Sequence, residues 1–195
     1  MPHKDLAGVR VAVLVSDGFE QVELDDPVAA FRQAGARVEI LAEDEAHLDE
    51  IKGVRHLEPA EGAKGDKLLE EADPDDYDAL FIPGGLASPD AMRQSAPHLG
   101  FVAAFFEAEK PVAAICHGPW LLADSGAAAG RTLTSWPGIE LDLVRAGADW
   151  VDEEVVVDGN LVTSRKPDDI PAFVEEAIRI FAEAAREEEE PAEGA

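Results

Sequence analysis

Cysteine is almost absent from this chain of 195 residues; Cys116 is the single one. No internal disulfide can form, which agrees with a reducing compartment. Histidine is scarce and unevenly placed. His3, His47, His56 and His98 all precede His117, and none follows it. No Cys/His spacing reads as a zinc site, so no metal is expected. Neither a GxGxxG stretch nor a P-loop occurs, so no nucleotide is implied and the expectation is chemistry without a cofactor. No apolar run reaches membrane-spanning length, and the opening "MPHKDLAGVR" lacks the apolar centre of a secretory signal, which makes the cytoplasm the expected location. Basic residues are few: 16 Lys and Arg stand against 42 Asp and Glu, a formal net charge of −26. Such a surface repels nucleic acid and anionic membranes, so neither is expected as a partner.

The acidic excess is spread over "LAEDEAHLDE", "LLEEADPDD", "ADWVDEEVVVD" and "REEEEPAEGA". This distribution reads as adaptation to a high-salt cytoplasm, where screening weakens the self-repulsion. The other reading is an ordinary acidic protein.

What is present is enough for a folded core. Apolar residues make up 46% of the chain, the length suits one domain over residues 1–186, and residues 187–195 read as a flexible acidic tail. "GVRVAVLV", "ARVEILAE", "DYDALFIPGG" and "PVAAIC" read as strands. Between them "ELDDPVAAFRQAG", "SPDAMRQSAPHLGFVAAFFEAEK" and "GPWLLADSGAAAG" read as helices, the first closed by Gly35. Residues 44–75 are polar and Gly-dotted and read as mostly loop. "RTLTSW" reads as a further strand, "VVVDGNLVTS" as a β-hairpin and "DIPAFVEEAIRIFAEAAREEE" as a closing helix. Alternating strands and helices predict an α/β protein with a mostly parallel sheet covered on both faces.

In such sheets ligands bind beyond the carboxyl ends of the strands. "SDGFEQVE", "PGGLASPD" and "CHG" arrive there with polar residues. Cys116 lies between a strand and a helix in Ala-Ile-Cys-His-Gly, like a nucleophile elbow with Cys in place of Ser. A helix N-terminus aimed at the sulfur would lower the thiol pKa. A buried structural cysteine is the alternative. Gly84 and Gly85 allow close approach of backbone to a ligand, or serve only a turn that needs positive φ. Trp120 and Trp136 would wall a pocket, or belong to a core or an interface.

"FEQVEL", "DYDALFIPGG", "KPVAAICHGPWLLADSG", "TSWPGIELDLVRAGADWVDEEVVVDGNLVTSR" and "PAFVEEAI" together resemble the PfpI family of the ThiJ/PfpI superfamily, intracellular Cys-dependent enzymes. The resemblance implies a flavodoxin-like three-layer α/β/α sandwich and a homodimer or higher oligomer. It implies a nucleophile at Cys116 and, at Glu23, a carboxyl hydrogen-bonded to its sulfur that is protonated or shares the thiol proton. Glu20 matches a second acid at the subunit interface. His117 matches the proposed acid/base, although adjacent side chains usually diverge. Asp90 stands where a neighbouring subunit's acid would orient that histidine. Many relatives carry Glu there, and capping a helix after Pro89 is the other role for Asp90. The N–H groups of Gly85 and His117 would hold a developing oxyanion. The absence of any histidine after His117 excludes the triad of glutamine amidotransferases.

The reaction implied is attack by Cys116 on a reactive carbonyl, methylglyoxal or glyoxal or its protein adduct, as in the deglycase and glyoxalase activities attributed to the family. A cysteine peptidase acting on peptides would use the same residues. A stress holdase or redox sensor with an oxidisable Cys116 is the non-enzymatic alternative.

Overall fold

Val11 and Val13 on one side of the first strand and Ala12 and Leu14 on the other enter two separate cores. That is the two-residue period of a strand buried on both faces. The computed structural model describes residues 5–189. Its central sheet is built from β1 (Arg10–Leu14), β2 (Arg37–Ala42), β3 (Lys67–Leu68), β4 (Ala79–Ile82), β5 (Val112–Ile115), β6 (Val155–Asp158) and β7 (Leu161–Ser164). The spatial order is β6-β7-β5-β4-β1-β2-β3. Every neighbouring pair is parallel except the β6–β7 hairpin. Gly159, at φ +59°, takes the first loop position of that hairpin, where a primed turn needs it.

Among the described residues seven α-helices accompany the sheet: α1 (Gln21–Gln33), α2 (Glu45–Asp49), α3 (Ala87–Met92), α4 (Ala96–Glu107), α5 (Trp120–Asp124), α6 (Glu140–Arg145) and α7 (Ile170–Glu189). Phe31 of α1 and Phe173 and Phe181 of α7 share one core with Phe81; Phe101 and Phe105 of α4 and Leu121 and Leu122 of α5 share the other with Leu80 and Ile82. The Phe31 ring meets Phe81 edge-on at 5.5 Å and Phe181 at 5.4 Å, so its loss would cost about 3–5 kcal/mol. The architecture is the flavodoxin-like α/β/α sandwich. The chain leaves β1 for β2 on one side and returns on the other as β4, which opens a crevice beyond the strand ends.

Three elements differ from the sequence reading. Residues 44–75 contain α2, the edge strand β3, and a strand Gly53–Arg55 that pairs with both Phe19–Glu20 and Glu58–Pro59. "RTLTSW" does not extend the main sheet; Thr132–Leu133 pairs with Asp149–Trp150 in a separate ribbon. The helix in "GPWLLADSGAAAG" stops at Asp124, before Gly126 and Gly130 turn to positive φ. Of the segment read as an acidic tail, residues 187–189 lie within α7 and residues 190–195 lie outside the described residues. Among the described residues no helix is long and apolar enough to cross a membrane.

Candidate active site

β5 ends at Ile115, and Cys116 follows with φ +61°, a left-handed conformation that non-glycine residues seldom take. Neighbouring backbone holds it there. Cys116 N–H donates to the Ser164 carbonyl at 3.0 Å, Trp136 N–H donates to the Cys116 carbonyl at 2.8 Å, and Gly118 N–H donates to the Ile115 carbonyl at 2.8 Å. A Cβ at Gly118 would stand 2.7 Å from the Ile82 carbonyl oxygen, so the third residue of Cys-His-Gly must be glycine for the turn to close. This is the strained elbow expected from the sequence, at the carboxyl end of the sheet.

Glu23 lies in the first turn of α1 and is completely buried. Neither carboxyl oxygen has a hydrogen bond of good geometry, although the Cys116 thiol and the N–H groups of Gly84 and Gly85 border it. Burial raises its pKa to about 8; the Cys116 contact opposes this, the charge of Glu20 adds to it, and the two glycine N–H groups oppose it. Cys116, only 7% exposed, is pushed well above the usual thiol range by burial first and by the Glu23 charge next. The N–H groups of Gly85 and His117 pull it down. Both groups therefore favour holding their protons at neutral pH and titrate as a pair.

The lowering of the thiol pKa expected from a helix N-terminus does not prevail over burial. Helix α5 has five residues and begins four positions after the cysteine, and the cost of ionising a buried sulfur outweighs it.

His117 Nδ1 lies 3.2 Å from Cys116 Sγ. The left-handed backbone at Cys116 accompanies this approach, so the expectation that adjacent side chains diverge fails here. The imidazole lies against two indoles, Trp120 tilted at 5.1 Å and Trp136 stacked at 6.0 Å. Burial lowers its pKa to about 4, so the ring is neutral at pH 7, with one nitrogen to accept a proton and one to donate.

Gly84 packs where a Cβ would collide with the Glu23 carboxyl and stand 2.5 Å from the Cys116 Cβ. Gly85, at φ +91°, packs against the backbone of Gly18, Phe19 and Glu20. Glu20 is largely buried and accepts a hydrogen bond from the His56 N–H at 2.8 Å, which ties it to a neighbouring loop. Asp90 is exposed and is the fourth residue of α3, whose N-cap is Leu86, so the capping role is excluded. Its contacts run to Gln94; among the described residues no hydrogen bond or ion pair joins it to His117 of its own chain.

Sequence reasoning missed Asp142, which accepts a hydrogen bond from Trp120 Nε1 at 2.8 Å, and Arg93, whose guanidinium lies 4.7 Å from the same ring. An aspartate 22 positions from its tryptophan leaves no local pattern to find. Among the described residues no cluster of His, Cys, Asp and Glu could hold a metal ion.

Taken together, a thiol on a strained turn, a sealed carboxyl, a neutral imidazole and two inward N–H groups suit nucleophilic attack on a polarised carbonyl. The model of the DJ-1/PfpI family matches residues 9–180. The putative cysteine protease YraA of Bacillus subtilis is 44% identical over 172 residues, 88% of this chain and 98% of that protein. Protein/nucleic acid deglycase 2 of Escherichia coli is 43% identical over 173 residues, 88% of this chain and 97% of that one. Among solved structures, an Anabaena variabilis protein with a DJ-1/ThiJ/PfpI-like and a ferritin-like domain superposes with a TM-score of 0.82 at 36% identity, covering 88% of this chain and 47% of that one.

Proposed function

This chain belongs to the DJ-1/PfpI family, and on that premise we propose that it is a cofactor-independent cysteine enzyme acting on small reactive carbonyls such as methylglyoxal or their protein adducts. The observation that carries the reading is the gathering of three proton-handling groups around one sulfur: the neutral His117 imidazole and the protonated Glu23 carboxyl both lie against the Cys116 thiol. That relatives bear the names deglycase and cysteine protease supports a reacting thiol in this family.

With methylglyoxal, the Cys116 sulfur forms a bond to the aldehyde carbon as its proton passes to the carbonyl oxygen, giving a hemithioacetal. The Gly85 and His117 N–H groups stabilise the charge on that oxygen. His117 removes the proton from the former aldehyde carbon to give an enediolate, a proton is returned to the adjacent carbon, and the hydroxyl proton of the first carbon passes to the oxygen of the second, giving a lactoyl thioester. Water cleaves the thioester, releasing lactate and restoring the thiol. No electron acceptor is needed, because one carbon is oxidised as its neighbour is reduced.

Asp90 of a neighbouring copy is the acid proposed to orient His117, within a homodimer or larger assembly. The peptidase reading rests on the name of one relative and would require an extended chain to reach the 7%-exposed sulfur. Methylglyoxal consumption and lactate formation, measured at high KCl for the wild type beside Cys116→Ser, test the proposal. Turnover lost in the variant supports it, and equal, negligible rates overturn it and direct the next assay to fluorogenic peptides.

A further inference from the structure

Among the described residues, the one hydrogen-bond contact of the His117 ring is Cys116 Sγ, so within its own chain the ring is oriented by the two indoles beside it, whatever a second copy adds. Trp136 is 41% exposed, whereas Trp120 is fixed on several sides. Its Nε1–H donates to Asp142 Oδ2 of α6 at 2.8 Å. The Arg93 guanidinium lies over its face, 4.7 Å from the ring. Arg93 is in turn held by Asp124, with Nε to Oδ2 at 2.5 Å and Nη2 to Oδ1 at 3.3 Å, and Asp124 belongs to the same short helix as Trp120.

A charge-assisted hydrogen bond to the indole edge fixes its rotation, and a cation over its face fixes its tilt. A ring so constrained presents one surface to its neighbour, and that neighbour is the imidazole at 5.1 Å. We propose that Asp142 and the Arg93–Asp124 pair are positioning residues for the chemistry of Cys116: acting through the Trp120 indole, they hold the His117 imidazole with Nδ1 on the sulfur.

The inference rests on the preceding reading only in that His117 serves Cys116 as acid and base. It does not require that methylglyoxal be the substrate. The test therefore uses two readouts that need no turnover, the rate of Cys116 alkylation by iodoacetamide and the imidazole 15N shifts of His117, alongside kcat and KM for methylglyoxal.

Asp142→Ala is expected to slow alkylation about tenfold and to move the His117 15N shifts, because a base displaced by a fraction of an ångström loses much of its effect. Asp142→Asn, which keeps an acceptor for the indole N–H, should restore both. Where turnover is measurable, kcat falls and KM stays. An Asp142→Ala protein with native circular dichroism, wild-type alkylation and unchanged 15N shifts overturns the proposal. If that variant does not fold, Trp120→Phe, which removes the N–H and keeps an aromatic ring, is read by the same measurements. A folded Trp120→Phe protein with wild-type values in both overturns it equally.

Discussion

His117 Nδ1 stands 3.2 Å from the sulfur of Cys116, its immediate neighbour in the chain. A base and a nucleophile adjacent in sequence meet here in space, where the nucleophile Cys116 has φ +61°. The thiol nevertheless stays protonated near neutrality, held so by burial and by Glu23. Its reactivity is expected to follow the titration of the pair.

Alkylation of Cys116 by iodoacetamide should rise with pH in a profile broader than a single titration, with its first rise near pH 8, where Glu23 is placed. Glu23→Gln removes one of the two coupled protons and should leave a simple one-site curve. Superimposable profiles for the two proteins would refute the coupling.

Glu23 also ties stability to pH. An unfolded glutamate ionises near 4.5, while the folded one keeps its proton to about 8, so the native state binds more protons between those values. Stability contributed at low pH is therefore lost as pH rises through that window, about 3 kcal/mol by pH 7. Glu23→Gln should raise the urea midpoint at pH 7.5 and change it little at pH 4.5. A gain of equal size at both would show that the carboxyl is not the cause. His117 works in the opposite sense: its lowered pKa of about 4 contributes stability that is lost as pH falls below 6.5.

Gly84→Ala would drive a methyl group into the Glu23 carboxyl and the Cys116 Cβ. A cost of about 1–3 kcal/mol is expected from the crowding, together with altered alkylation of the thiol. Denaturant unfolding and the alkylation rate check both, and a neutral substitution would mean that the two elements separate more easily than their packing implies.

Among the described residues no hydrogen bond or ion pair joins Asp90 to His117 of its own chain, so a role in orienting that ring requires a second copy. Mixing two variants, Cys116→Ser and Asp90→Ala, each inactive alone, should restore activity, because a mixed dimer contains one site with both groups intact. No recovery after confirmed exchange of subunits would remove Asp90 from the site.

With a net charge of −26, the fold should gain from screening. The melting temperature is expected to rise by roughly 5 °C or more from low to molar KCl. A flat response would rule out the high-salt reading of the composition.

The central strands were legible in the sequence because burial on both faces leaves a continuous apolar run. Arg10–Leu14 and Ala79–Ile82 are apolar on both sides, and the turn residues at Asp158 and Gly159 announce the hairpin. Residues 44–75 were not, because strands of two or three residues at a sheet edge are shorter than any period that could reveal them. In the site, Cys116 was marked by its strand-to-helix context. Glu23 was not marked by pattern: it stands in "QVELDDP", where one sealed carboxyl looks like its exposed neighbours, and only the family resemblance singled it out. The hold of Asp142 and Arg93 on Trp120 joins three helical segments and has no trace in any one of them.

The left-handed backbone at Cys116 has a consequence for how variants of this chain would be sorted. Glycine is the residue that this conformation accepts most readily, and it has neither a sulfur to bury nor a Cβ to strain. A selection that rewards only yield and heat resistance should therefore enrich Cys116→Gly, while a selection that demands carbonyl turnover eliminates it. Position 116 is where the two selections would rank the same pair of residues in opposite order.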